Sequence, residues 1–197
     1  NAQIYKKHLV TDSLVQLTVE GRNFFPAWSP DGERIAYDRS IEDETGPGGI
    51  WIMKQDGEKK ESIFGGALPD WHTNGEQIIG TIGTSSTSVW KRFKIYTIYD
   101  GSTEILDAVV DASNLYPKYS PDGRRLLFTS QPYASQMNIY LMDLNDKSIR
   151  QLTHEGGYSN DWSPDGAWIV YTETSETGRL WIMKPDGSEK KQLTYED

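Results

Sequence analysis

The chain has 197 residues, with 20 Lys and Arg against 29 Asp and Glu, for a formal charge of −9. Its average field therefore repels nucleic acid and anionic membrane surfaces. Hydrophobic residues make up 36% and charged residues 25%, which excludes a disordered tail, and no apolar run is long enough to span a bilayer. The lack of cysteine removes disulfides, thiolate zinc sites and cysteine nucleophiles, yet leaves oxidising and reducing compartments both open.

Aromatic residues and glycine set the fold class: 7 Trp, 11 Tyr, 5 Phe and 18 Gly favour short strands joined by tight turns, an all-β chain. Residues 3–18, QIYKKHLVTDSLVQLT, read as two short strands. Four longer units follow, at 22–64, 66–108, 112–154 and 156–197. Each opens on a related segment: PAWSPDGERIAY from Pro26, PDWHTNGEQIIG from Pro69, PKYSPDGRRLLF from Pro117 and NDWSPDGAWIVY from Asn160. Their aromatic anchors, Trp28, Trp71, Tyr119 and Trp162, lie 43, 48 and 43 residues apart.

Within a unit, Ser-Pro-Asp-Gly is a turn with stated chemistry. Pro30 presets φ, Asp31 tolerates the third position, and Gly32 takes the position where φ turns positive. The same holds for Ser120–Gly123 and Ser163–Gly166, whereas His72–Gly75 keeps only the glycine. A second hairpin is expected at Asp56-Gly57, Asp100-Gly101, Asn145-Asp146 and Asp186-Gly187. A closing strand follows each, giving a four-stranded antiparallel meander per unit. Such a sheet cannot bury enough surface alone and is stable only when stacked on neighbours. Radial stacking of four-stranded sheets makes a β-propeller.

Ile4 to Leu17 has the spacing of Ile139 to Leu152 and of Leu180 to Leu193. Residues 3–18 therefore match the last two strands of a blade. The fold expected is a single β-propeller domain over 1–197, with four full blades and an amino-terminal half blade. Three arrangements are open for that half blade. The chain is part of a longer propeller, the hairpin packs outside a small ring, or another chain completes it by association. The repeated anchor aromatics are expected in the core, where adjacent sheets interlock, and not in a cofactor box.

The PxWSPDGxxIxY core, the following IYxMxxDG strand and the closing QLT resemble the repeat of TolB-like β-propellers, over nearly the whole chain. The resemblance implies a propeller whose relatives include a periplasmic protein-interaction component of Gram-negative envelopes, regulatory propellers of prolyl peptidases, and some sugar-acid lyases. It implies a periplasmic or extracellular location, with the cytoplasm as the alternative. Fold does not fix function, so the site is sought in the residues.

Turns of uniform length are expected at one end of the propeller, and variable connections at the other: 40–49, 83–93, 131–138 and 174–179. Function concentrates in such loops on a rigid scaffold. Trp90, Lys91 and Arg92 pair an aromatic with two cations, a composition suited to a protein or carbohydrate contact. Tyr133, His154 and Tyr158 lie in or near the same loops. Glu42, Asp43 and Glu44 supply carboxylates but no calcium-loop spacing. Just before the anchors, Asp70, Lys118 and Asp161 are placed to project toward the central channel, where a peptide terminus or a cation would meet them.

His8, His72 and His154 lack metal-ligand spacing, and no nucleophile elbow, phosphate loop or dinucleotide fingerprint is present. No metal and no cofactor is called for. The reading is a non-catalytic scaffold for a protein or peptide partner, bound at the variable loops and channel mouth. The alternative is a hydrolase or lyase acting on a sugar or peptide through axial carboxylates.

Overall fold

The computed structural model describes residues 2–40, 48–83, 90–109, 111–133, 135–175 and 178–195, with only the backbone of Trp90 and Lys91. It is a β-propeller of four antiparallel four-stranded blades. Blade one is β3 (Arg22–Trp28), β4 (Arg34–Ser40), β5 (Gly49–Lys54) and β6 (Glu61–Phe64). Blade two is β7 (Ala67–Trp71), β8 (Gln77–Gly83), β9 (Trp90–Thr97) and β10 (Thr103–Asp107). Blade three is β11 (Ala112–Tyr119), β12 (Arg125–Pro132), β13 (Asn138–Asp143) and β14 (Ile149–Gln151), and blade four is β15 (Tyr158–Trp162), β16 (Ile169–Thr172), β17 (Leu180–Met183) and β18 (Lys191–Gln192). Ahead of them, β1 (Tyr5–Lys7) and β2 (Leu14–Gln16) form a separate two-stranded sheet.

The turn chemistry takes the expected form. Gly32 sits at φ 71° and donates its N–H to the Ser29 carbonyl, while Ser29 Oγ donates to Asp31 and accepts from Arg34 N–H. Ser120 and Ser163 repeat this pattern. These bonds hold the Asp31, Asp122 and Asp165 carboxyls below their ordinary range, the serine hydroxyl being the leading cause. In the first three blades the two hairpin turns touch, through Gln55 N–H to Glu33 O, Ile98 N–H to Glu76 O and Leu144 N–H to Arg124 O. The uniform turns therefore share one end.

The hydrophobic core is divided into slabs, one at each joint between successive sheets. Ile4 and Leu17 of the half blade pack on Ile35, Tyr37 and Met53. Ala36, Ile50 and Phe64 meet Trp71 and Ile78. Ile79 and Phe93 meet Tyr119 and Phe128, and Leu127 and Ile139 meet Trp162 and Tyr171. Two joints share a further device. Trp71 Nε1 donates to Ala27 O, with the Arg34 guanidinium 4.8 Å from its ring centroid. Trp162 Nε1 donates to Lys118 O, with Arg125 at 4.9 Å. The anchor of each of these blades thus belongs to its joint with the preceding one.

The expectation that all four anchors are core residues requires one correction. Trp71, Tyr119 and Trp162 are 5%, 6% and 9% exposed, but Trp28 is 49% exposed. Its preceding sheet is the half blade, which supplies two outer strands and no inner strand for the indole to cover. Trp162→Ala should cost about 3–5 kcal/mol through the cavity it leaves. Trp28→Ala should cost less than about 1 kcal/mol, read from urea midpoints at constant slope.

Candidate functional site

Each blade's first strand carries the same irregularity. The register shifts between Phe24 and Ala27, Ala67 and Asp70, Leu115 and Lys118, and Tyr158 and Asp161. Within each shift one side chain adopts a left-handed backbone: Phe25 at φ 49°, Leu68 at 57°, Tyr116 at 52° and Ser159 at 51°. Such conformations cost on the order of 1–3 kcal/mol each and re-aim the residues beside them. The next residue is Pro26, Pro69, Pro117 or Asn160. Proline has no N–H to offer the ladder and so tolerates the interruption.

The bulge residues of blades one and three meet. Phe25 and Tyr116 pack edge to face with centroids 6.2 Å apart, and Phe24 adjoins Phe25 at 6.1 Å. Two inner strands that are not neighbours are thereby joined by aromatic rings. Phe25 remains half exposed. The sequence reading missed this cluster; the Phe-Pro and Tyr-Pro steps in the inner strands were its visible trace.

Two of the three channel candidates come together. Lys118 Nζ lies 3.0 Å from Asp70 Oδ1, and Asp70 Oδ2 accepts Tyr119 N–H at 2.9 Å. Burial pushes the Asp70 carboxyl up, against the pull of the Lys118 ammonium and the Tyr119 amide. Burial disfavours the Lys118 ammonium, but the Asp70 and Asp161 carboxylates outweigh it and hold the group above its ordinary value. Asp161 itself is exposed and accepts Trp162 N–H at 2.8 Å. Asp70 is therefore a clamp between blades two and three, with both oxygens engaged.

The loop candidates are not part of this cluster. Arg92 forms an ion pair with Asp107 at 2.9 Å, across β9 and β10, with both side chains mostly exposed. Tyr133 is 92% exposed at the end of β12, its N–H bonded to Asp111 O. The side chains of Trp90 and Lys91 lie outside the described residues, as do Glu42, Asp43 and Glu44. His154 is exposed, and its carbonyl accepts from Gln136. Among the described residues no group of three His, Cys, Asp or Glu side chains is arranged to hold a metal.

Two polar residues do more than their place in the repeat suggests. His72 was expected only to replace the turn serine. Its Nδ1 accepts Asn74 N–H, which leaves the proton on Nε2 facing Gly123 O at 3.2 Å in blade three. Asp38, on β4, accepts Leu68 N–H at the bulge of blade two, and burial raises its pKa to about 6.

A chain of stacked four-stranded meanders with a bulged inner strand in each is a repeat β-propeller. Residues 68–197 match the family model described as TolB beta propeller domain, and the chain belongs to that family. Over 178 residues it is 26% identical to the uncharacterized peptidase YuxL of Bacillus subtilis, covering 83% of this chain and 25% of that protein. Over 85 residues it is 33% identical to the Tol-Pal system protein TolB of Francisella tularensis subsp. mediasiatica, covering 36% of this chain and 20% of that protein. The crystal structure of TolB from Acinetobacter baumannii is similar with a TM-score of 0.79 at 23% identity, over 95% of this chain and 47% of that one. The chain thus spans about a quarter of the length of the curated relatives it matches.

Removing the Lys118 ammonium strands a partly buried carboxylate. Lys118→Met should destabilise by about 2–4 kcal/mol, and adding Asp70→Asn should recover part of it, measured as a double-mutant cycle in urea. Asp38 gives a pH signature. With its folded pKa raised to about 6, the folded state binds more protons between about pH 4 and 6, so stability falls as pH rises through that window. Asp38→Asn should flatten that slope and add about 1–2 kcal/mol at pH 7, read from urea midpoints at successive pH values.

Proposed function

We propose that this chain is a non-catalytic propeller scaffold that holds a protein or peptide partner at its channel mouth, with the variable loop end as the flanking surface. The observation that carries the reading is the bulged inner strands. They bring Phe25 and Tyr116 together beside the charged residues Lys118 and Asp161, so apolar and charged groups converge on rigid strands. A short peptide with an aliphatic or aromatic residue and a cationic group matches that pairing.

A hydrolase or lyase reading needs two carboxylates free to act on a substrate. Asp70 is committed to Lys118 and Tyr119, which leaves Asp161 without a second acid among the channel candidates. Relatedness to a peptidase keeps a catalytic protein among the relatives, and a propeller in such a protein can act as a partner surface or gate. The similarity to TolB proteins supports a protein partner and a periplasmic location for this chain.

Selection of displayed random peptides against the chain tests the reading. Peptides carrying an apolar residue and a cation should emerge, and the Phe25→Ser, Asp161→Asn variant should bind them at least tenfold more weakly. Equal binding by wild type and variant would sink the assignment, as would hydrolysis of a selected peptide that Asp161→Asn abolishes.

A further inference from the structure

We infer that Asp38 is a cation-binding subsite, the carboxylate that takes an ammonium or guanidinium group of the partner proposed for the channel mouth. The inference rests on that reading and extends it by naming the acceptor and the charge it selects.

Ile35, Ile78, Leu126 and Ile169 each pair with the anchor of their own blade. Three residues further along the second strand stand Asp38, Thr81, Thr129 and Thr172. Blade one therefore carries a carboxylate where the others carry a hydroxyl. Thr81 and Thr129 are fully buried and satisfied within the protein: the Thr81 hydroxyl donates to Ala67 O and the Thr129 hydroxyl to Asn160 Oδ1.

Asp38 is in a different position. It accepts Leu68 N–H, and among the described residues no ammonium or guanidinium group offsets its charge. The side chain is half-buried, so a partner can reach it. Nor does the fold require a carboxylate there. Tyr116 and Ser159 adopt the same left-handed backbone as Leu68, and the blades before them carry Thr81 and Thr129 in place of Asp38. A carboxylate drawn partly out of water with no counter-charge weakens the folded state. Such groups gain a use when an opposite charge arrives. Asp70 is closed to this role, because Lys118 and Tyr119 N–H hold both of its oxygens.

The surroundings fit a cation on an apolar stem. Asp38 and Phe24 are cross-strand partners, so their side chains share one face of blade one. Phe24 adjoins Phe25, and Phe25 meets Tyr116. The carboxylate thus stands at one end of a row of three rings. The Arg22 guanidinium lies 5.5 Å from the Phe24 centroid, so that ring already faces a cation. A lysine or arginine of the partner can lay its stem along Phe24 with its charge on Asp38.

The full chain is titrated with n-butylammonium chloride at neutral pH, with n-butanol and sodium chloride as comparators, while the Leu68 amide and the Phe24 ring are followed by NMR. Butylammonium should move both resonances along a saturating curve. Asp38→Asn, which keeps the shape and should fold at least as stably, should abolish the saturation. Lysine-containing peptides selected against the chain should bind Asp38→Asn about tenfold more weakly than wild type, and replacing the peptide lysine with norleucine should remove that difference. Saturation that butanol or sodium chloride reproduces, or that survives in Asp38→Asn, would overturn the inference. So would a selected peptide that binds wild type and Asp38→Asn equally while the Phe25→Ser, Asp161→Asn variant weakens it, an outcome that leaves the channel-mouth reading standing. Saturation by butylammonium with no peptide selected supports the subsite and sinks that reading instead.

Discussion

Everything in this molecule depends on the contact between one blade's inner edge and the anchor aromatic of the next. A sheet of four short strands has two faces and too little interior of its own, so its stability is borrowed from the sheets on either side. The core therefore occurs as slabs between sheets, each owned jointly by two blades. At two joints a tryptophan fills the slab and its indole N–H finds a carbonyl of the preceding inner strand. The bond gives direction to contacts that are otherwise non-directional. A Trp can slide on an apolar surface; one with a single available acceptor and an arginine over its ring cannot.

The joint between blades two and three shows how the same constraint is met without tryptophan. Tyr119 has no indole N–H, and its side-chain oxygen is buried with no hydrogen-bond partner among the described residues. Fixation passes instead to the backbone and to charge. Asp70 takes Tyr119 N–H and Lys118, while His72, edge to face with the Tyr119 ring, reaches Gly123. The histidine that breaks the turn pattern and the tyrosine that breaks the anchor pattern thus belong to one joint, and each departure is compensated by the other. A partly buried ion pair is weak evidence for stability by itself, but here it supplies the orientation that the indole bond supplies elsewhere.

Much of the fold was legible because its signals are local. Ser29, Pro30, Asp31 and Gly32 specify their turn through bonds among neighbours, and the anchors mark the period. What was hidden depends on neighbours distant in sequence. Nothing in Trp28 distinguishes it from Trp71; its exposure follows from what precedes it in space. The left-handed Phe25, Leu68 and Tyr116 are invisible to any propensity scale, since large side chains disfavour positive φ, and only the prolines that follow hint at the bulge. Asp38 gives no sign of its environment, which comes from burial and from the Leu68 amide of blade two. Of the site, the inner-strand position of Asp70 and Lys118 was readable from the period. Their pairing, which changes what Asp70 can do, was not.

That pairing bears on how function and fold divide the inner strand. The position before the anchor holds Ala27, Asp70, Lys118 and Asp161 in turn, so the scaffold does not require any one chemistry there. Two of the four, Asp70 and Lys118, are drawn into holding blades two and three together. The bulge position shows the converse. Its backbone is the same in all four blades, while its side chains run from Phe and Tyr to Leu and Ser. A fixed, strained backbone with a variable side chain is how a repeat scaffold presents different groups at one defined place. The costly conformation occurs four times over at one level of the inner strands, and in blade one it carries the half-exposed ring of Phe25.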